Sequence, residues 1–212
     1  MIDLSMIKPG MRTALLIRHA ERNPAVEKVH DIIEPLNENG EKMAVELGEK
    51  LRSYAKNLRI FSSPVGRCIQ TAKAILQGFG EEENIIESTY LGEPGPFVID
   101  REKGLIAFTK LYSCHKVVEM QCNNESLDGF RSKKEGTEYL MNFVRSQLKE
   151  SALDTMLIFI SHDACIAPVL SYFTGEIFRK GYWIDFLDGA IIQQSNEKCF
   201  FERNGKTYEI GK

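Results

Sequence analysis

No run of about 18 apolar residues occurs anywhere in this 212-residue chain, so no membrane-spanning helix is expected. The opening stretch MIDLSMIKPGMRTALLI lacks a basic segment leading into an uninterrupted apolar one, because Lys8, Pro9, Gly10 and Arg12 break it. It does not read as a secretory signal. Cysteine is scarce: five residues (68, 114, 122, 165 and 199), odd in number, scattered and without a CxxC pair. That pattern predicts reduced thiols in a cytoplasmic protein and no zinc site. A charge excess of one sign is also missing. Twenty-seven Lys and Arg face thirty Asp and Glu, a net charge of -3. A nucleic-acid footprint would need a strong basic excess or stripe, and none is expected here. Motifs for metal or nucleotide binding (HExxH, DxD, GxxxxGK[ST]) are absent, so no metal and no cofactor are expected.

What remains is an ordinary globular composition, 43% hydrophobic and 27% charged, long enough for one substantial core. TALLIR (13–18) reads as a short buried strand followed by a loop. Asn37 then suits the N-cap of a helix in which Met43, Ala44, Leu47, Leu51 and Tyr54 recur at helical spacing. A second strand covers about 58–62. Ser63 suits an N-cap and Pro64 the first position of the helix after it, whose stripe is Val65, Cys68, Ile69, Ala72, Ile75 and Leu76 and whose stop is Gly78. Residues 84–91 read as a weaker third strand.

The pattern blurs over about 92–134, apart from a short helix at EKGLIAFTKLY, and this region reads as a small inserted lobe or lid. A helix at about 135–149, a strand at 155–160 and a helix at 164–174 ending near Gly175 follow. Pro168 fits that last helix only in its first turn. The last 30 residues read as strands with an Asn204-Gly205 turn. Alternating strands and helices predict a single α/β domain over 1–212: a doubly wound, mainly parallel sheet with helices on both faces. Such sheets bind ligands beyond the carboxyl ends of their strands.

Three strands end in polar clusters: Arg18-His19, Ser62-Ser63 leading to Arg67, and Ser161-His162-Asp163. With Arg22, these ends would gather three permanent cations, two imidazoles and a carboxyl group. Arg67 falls in the first turn of its helix, whose N-terminal dipole adds to the positive field. Guanidinium forks match phosphate oxygens in pairs and never lose their proton. Nearby cations disfavour imidazolium, so one histidine would keep a free lone pair able to attack phosphorus. A carboxylic acid beside the phosphate could protonate the leaving oxygen and then deprotonate water.

RHAERNP (18–24) is close to the RHGxRxP signature of the histidine phosphatase superfamily, in its acid-phosphatase branch. SSPVGRCIQTA (62–72) is similar to the SxxxRxxxTA segment of that family, and SHD (161–163) resembles its HD dipeptide. PLNENG, before the first helix, also looks like the family in outline. The resemblance implies a metal-free doubly wound α/β core with His19 as nucleophile, Arg18, Arg22, Arg67 and His162 on the phosphoryl group, and Asp163 as proton donor. Two features depart from the pattern. Ala20 stands where Gly is usual, and the chain lacks room for the large helical cap of the acid branch. The other branch, with the phosphoglycerate mutases, takes its acid from a Glu after the third strand, where YLGEPG puts Glu93. The HD pair and Arg22 favour Asp163, with Glu93 as the alternative.

Taken singly, each block has a plainer explanation: a paired strand-end charge at Arg18, a solvated helix residue at Arg67, a packed histidine at 162, an N-cap at Asp163. Glu21 reads as the partner of a neighbouring arginine, the basic residues 101, 103, 131, 133 and 134 as a solvated loop, the cysteines as inert packing, and Trp183, Phe173, Phe178 and Phe186 as core. The three blocks in order, each after a strand, predict a phosphatase acting on a small phosphorylated substrate or a phosphoprotein. A mutase, or a phosphate-binding module without catalysis, are the alternatives. Oligomeric state is not legible.

Overall fold

The first strand, β1 (Arg12–Arg18), is buried over nearly its whole length because both of its faces are covered. Ala14 and Leu16 point into one hydrophobic layer, Leu15 and Ile17 into the other. The computed structural model describes residues 1–24, 34–82, 84–195 and 198–211. The middle of the loop expected after β1 lies outside the described residues.

Six further strands complete one mixed sheet: β2 (Asn57–Ser62), β3 (Ile85–Glu87), β4 (Thr155–Ser161), β5 (Gly189–Gln194), β6 (Cys199–Arg203) and β7 (Lys206–Ile210). Their order is β3-β2-β4-β1-β5-β6-β7. The first four are parallel, and β5, β6 and β7 extend the sheet antiparallel from β1. The doubly wound sheet is thus parallel across β3, β2, β4 and β1. The Asn204-Gly205 turn joins β6 to β7 with positive φ at both residues, as the sequence predicts.

Helices α1 (Glu38–Leu51) and α2 (Gly66–Phe79) cover one face, and α5 (Lys133–Glu150) and α6 (Asp163–Thr174) belong to the other. Asn37 caps α1 as expected, its side chain accepting from the Gly40 N–H. Ser63 does not cap α2; Val65 holds that position and Pro64 precedes it, because the Ser63 hydroxyl is turned into the site described below. Nor does Gly78 stop α2. A Cβ there would lie 2.0 Å from the Val45 carbonyl oxygen of α1, so Gly78 permits the close helix crossing. The stop is Gly80, in the left-handed conformation at φ 89°. Asp163 is the first residue of α6 and not its cap, a place taken by His162. Pro168 accordingly sits in the second turn.

The segment 92–134 contains more helix than its sequence suggests. α3 (Arg101–Ile106) runs into a π-turn at Ala107–Leu111, and α4 (Cys114–Cys122) follows. The weak strand expected at 84–91 shortens to three residues and a 3-10 turn. Among the described residues, no helix is long and apolar enough to cross a membrane.

Candidate active site

Strand order explains how three distant sequence blocks meet. β4 lies between β2 and β1, and Arg18 pairs in register with Ser161. His19 and His162 therefore emerge side by side, one residue beyond the sheet, and the His19 N–H donates to the Ser161 carbonyl at 2.9 Å. Ser63 leaves β2 next door, its N–H donating to Ile160. The sheet itself sets the relative height of these side chains.

Arg67 joins the two imidazoles. Its Nε donates to His19 Nε2 at 3.0 Å, and its Nη2 to His162 Nδ1 at 3.1 Å. The other nitrogens then fix both tautomers. His19 Nδ1 lies 2.8 Å from the Ala20 carbonyl, which can only accept, so Nδ1 carries the proton and Nε2 the lone pair. His162 accepts from Arg67 at Nδ1, so its Nε2–H donates to Ser63 Oγ at 2.9 Å. Thr71 supports this corner: its hydroxyl accepts from the Ala20 N–H and donates to the Arg67 carbonyl.

Burial and nearby cations keep both rings neutral. His19 titrates well below its ordinary value, first through desolvation and then through His162, Arg67 and Arg18. Desolvation and Arg67 push His162 down to about 3. An unfolded chain would protonate both near 6.5, so between that pH and about 3 the unfolded state binds more protons. Folding stability is therefore expected to fall on acidification below about pH 6.5, by up to about 1.4 kcal/mol per pH unit for each histidine. Thermal melts from pH 7 to 4 should show the decline, and His162→Gln should shed about half of its slope. A flat melting profile would contradict neutral, buried rings.

Arg18 forms a second centre. Its Nη2 pairs with Asp163 Oδ2 at 2.8 Å, and its Nη1 donates to the Ile184 carbonyl. Its guanidinium lies 4.1 Å from the Phe186 ring centroid. Asp163 Oδ1 accepts from the Ala164 N–H, and Oδ2 also accepts from Trp183 Nε1 at 3.1 Å. Burial alone would raise the Asp163 carboxyl, but Arg18, His19 and the Trp183 bond outweigh it and hold the group below the usual carboxylate range. Arg22 lines the same cavity, with one Nη donating to the Asn23 carbonyl.

Glu93 stands on the cavity wall, at φ 54°, with its carboxylate accepting from Arg101 at the rim. Gly92 before it packs on the site: a Cβ there would fall 2.4 Å from Ser63 Oγ and 2.8 Å from the His162 ring. The tight approach fixes where the Glu93 backbone runs.

All seven residues expected at the site line one cavity. Among the described residues, no group of three or more His, Cys, Asp or Glu could hold a metal ion. Trp183 and Phe186, expected in the core, are half-buried and touch Asp163 and Arg18 respectively. Phe178 is buried core as expected. Glu21 accepts from Asn37 and Asn39, which ties the loop after β1 to the start of α1. Of the basic residues between 101 and 134, only Arg101 lines the cavity; Lys103 and Lys134 pair with Asp128 and Glu138, while Arg131 and Lys133 donate to main-chain carbonyls. Cys68 Sγ lies 3.6 Å from His162 Nε2, but burial pushes its thiol far up, out of the reactive range.

The family model described as histidine phosphatase superfamily (branch 1) matches residues 14–94, the segment from β1 to Pro94 that carries His19, Arg67 and Glu93. The match covers less than half of the chain. No curated protein matches its sequence. Solved structures are similar to it across most of their length. A phosphoglycerate mutase from Bacillus anthracis str. Sterne is 16% identical, with a TM-score of 0.61, over 93% of this chain and 94% of that one. A mycobacterial glucosyl-3-phosphoglycerate phosphatase is 15% identical, at 0.54, over 86% and 89%. A mutant phosphoserine phosphatase from Entamoeba histolytica, in complex with phosphoserine, is 15% identical, at 0.54, over 94% and 95%. At such identities the shared property is the α/β fold.

Proposed function

We propose that the protein is a phosphatase that hydrolyses a phosphomonoester through a covalent phosphohistidine at His19. The observation that carries this reading is the His19 tautomer: Nδ1–H is committed to the Ala20 carbonyl, leaving Nε2 with its lone pair among guanidinium groups. A bound phosphate dianion would compete for the Arg67 donors and release Nε2 for attack. The Nε2–P bond then forms as the bond from phosphorus to the leaving oxygen breaks. Arg18, Arg22 and Arg67 neutralise the transferred charge without a metal, with the His162 Nε2–H as a further donor. Water next attacks phosphorus as the Nε2–P bond breaks, gives its proton to the carboxylate that had protonated the leaving oxygen, and leaves inorganic phosphate and a neutral His19.

The geometry supports Glu93 over Asp163 as the group that protonates the leaving oxygen. Three donors occupy the Asp163 carboxylate, and its partner Arg18 is buried. Such a carboxylate anchors an arginine well and takes up a proton poorly. The Glu93 partner, Arg101, is largely exposed, and a surface pair yields easily to a bound dianion.

Release of phosphate from p-nitrophenyl phosphate in the presence of EDTA tests the reaction. Rapid quenching into base should trap phosphate on the protein in a form that acid releases, as a phosphorus–nitrogen bond requires. Transfer of phosphate between carbons with little free phosphate would identify a mutase. Phosphate binding without turnover would identify a non-catalytic module.

A further inference from the structure

The cavity that holds His19 continues well past the room a phosphoryl group needs. It measures about 710 Å³, within the range of small-molecule sites. Beyond the arginines its walls change character. On the 92–134 segment, Phe108 and Phe130 form an aromatic pair with centroids 5.8 Å apart. Opposite chemistry would be expected if the leaving group were a small charged metabolite. Instead a second aromatic pair, His115 and Trp183 at 4.3 Å, lines the same space. Trp183 belongs to both regions, since its Nε1–H bonds Asp163 while its ring extends the apolar wall. Glu93 and Arg101, the charged side chains on this part of the wall, pair with each other.

Thr109, Ser113 and Gln121 are uncharged polar residues within this lining. Gln121, on the last turn of α4, is 3% exposed and lines the cavity, yet its Nε2 is buried without a hydrogen-bond partner. A buried amide donor left unsatisfied is costly, and a turn of the side chain that presents it to an accepting ligand atom in the cavity recovers the loss. Phe108 itself sits on the π-turn at Ala107–Leu111, an irregularity often found at functional sites.

We infer that the substrate is a small aryl phosphate: an uncharged aromatic leaving group lying between the Phe108/Phe130 and His115/Trp183 pairs, with a hydrogen-bond acceptor such as a ring hydroxyl oxygen directed at Gln121. This rests on the proposed phosphatase reading for its chemistry, while the pocket itself is read from its walls.

Non-hydrolysable phosphonates separate the two. Calorimetry with methylphosphonate, benzylphosphonate and 2-naphthylmethylphosphonate should show affinity rising about tenfold with each ring. Phe108→Ala should lower the naphthyl-to-methyl ratio about tenfold. Among ring-hydroxylated naphthyl isomers, at least one should bind the wild type about fivefold more tightly than the parent, and Gln121→Met should erase that gain. Gln121→Met should also melt higher than the wild type without ligand, since it removes an unsatisfied donor. A flat phosphonate series, a gain that survives Gln121→Met, or a lower melting temperature in that variant would overturn the assignment. So would tighter binding of a phosphotyrosyl peptide than of the naphthyl probe, which would move the leaving group onto a protein. If the naphthyl phosphonate binds tightly but naphthyl phosphate releases no phosphate, the pocket stands and the catalytic reading falls. Turnover combined with a flat series gives the reverse.

Discussion

His19→Ala is expected to lower kcat for p-nitrophenyl phosphate by about 10⁴-fold or more, while tungstate or phosphate affinity changes by less than about tenfold. The contrast follows from how the site divides its labour. In the proposed mechanism charge recognition comes from Arg18, Arg22 and Arg67, and none of their guanidinium groups is removed. Arg67 keeps its bond to His162 Nδ1 at 3.1 Å, and Arg18 keeps Asp163 and the Ile184 carbonyl. What disappears is the one lone pair that the Ala20 carbonyl holds in readiness. Water would then have to attack phosphorus directly, without a positioned nucleophile. Steady-state kinetics alongside competition with tungstate measures both halves. Activity within tenfold of the wild type would remove the covalent mechanism. Loss of anion binding in parallel with kcat would show that the substitution had collapsed the site. A melting temperature for the same variant reads out any such collapse separately.

Much of this centre is legible from local signals. Arg18-His19, Ser63 with Arg67, and His162-Asp163 each follow a hydrophobic run, and a parallel sheet carries such ends to one edge. The register of Arg18 against Ser161 turns three sequence blocks into neighbours. The contribution of residues 183–188 is different in kind. Trp183, Ile184 and Phe186 reach the site because the chain entering β5 runs back along Arg18, with the Arg18 N–H bonded to Asp188. That contact joins residues about 170 positions apart and leaves no periodic trace, so aromatic residues there look like ordinary core. Ser63 shows a second kind of failure. Ser-Pro is a sound helix-start signal, but a neutral imidazole offering an N–H is a better partner for the hydroxyl than a helix end. Gly78 shows a third, since its lack of a side chain serves the crossing of α1 and α2. The segment 92–134 resists reading for a physical reason too. Its helices are short, one passes into a π-turn, and many of its apolar side chains face a cavity instead of a layer of core.

Asp163 and Glu93 should respond in opposite ways to loss of charge. Asp163→Asn strands the buried Arg18, whose Nε already has no hydrogen-bond partner. Breaking one side of such a pair costs about 3–5 kcal/mol, so the melting temperature should drop by about 10 °C for a chain of this size. Phosphate or vanadate should restore much of it, because the anion supplies Arg18 with a new partner. Glu93→Gln disrupts only a pair with a largely exposed arginine and should leave the melting temperature within about 2 °C. Activity separates the roles further. Without its proton donor, an enzyme suffers most when the leaving oxygen is strongly basic. Glu93→Gln should therefore spare p-nitrophenyl phosphate and depress phenyl phosphate turnover by about 10²-fold or more. Asp163→Asn should weaken both substrates by a similar factor, as expected for a group that only positions Arg18. If the leaving-group dependence follows Asp163→Asn instead, that carboxyl is the acid, and the phosphate dianion must release it from Arg18 on binding. The structure makes that second course expensive: the proton would have to displace Arg18, the Trp183 N–H or the Ala164 N–H from a carboxylate that all three already occupy.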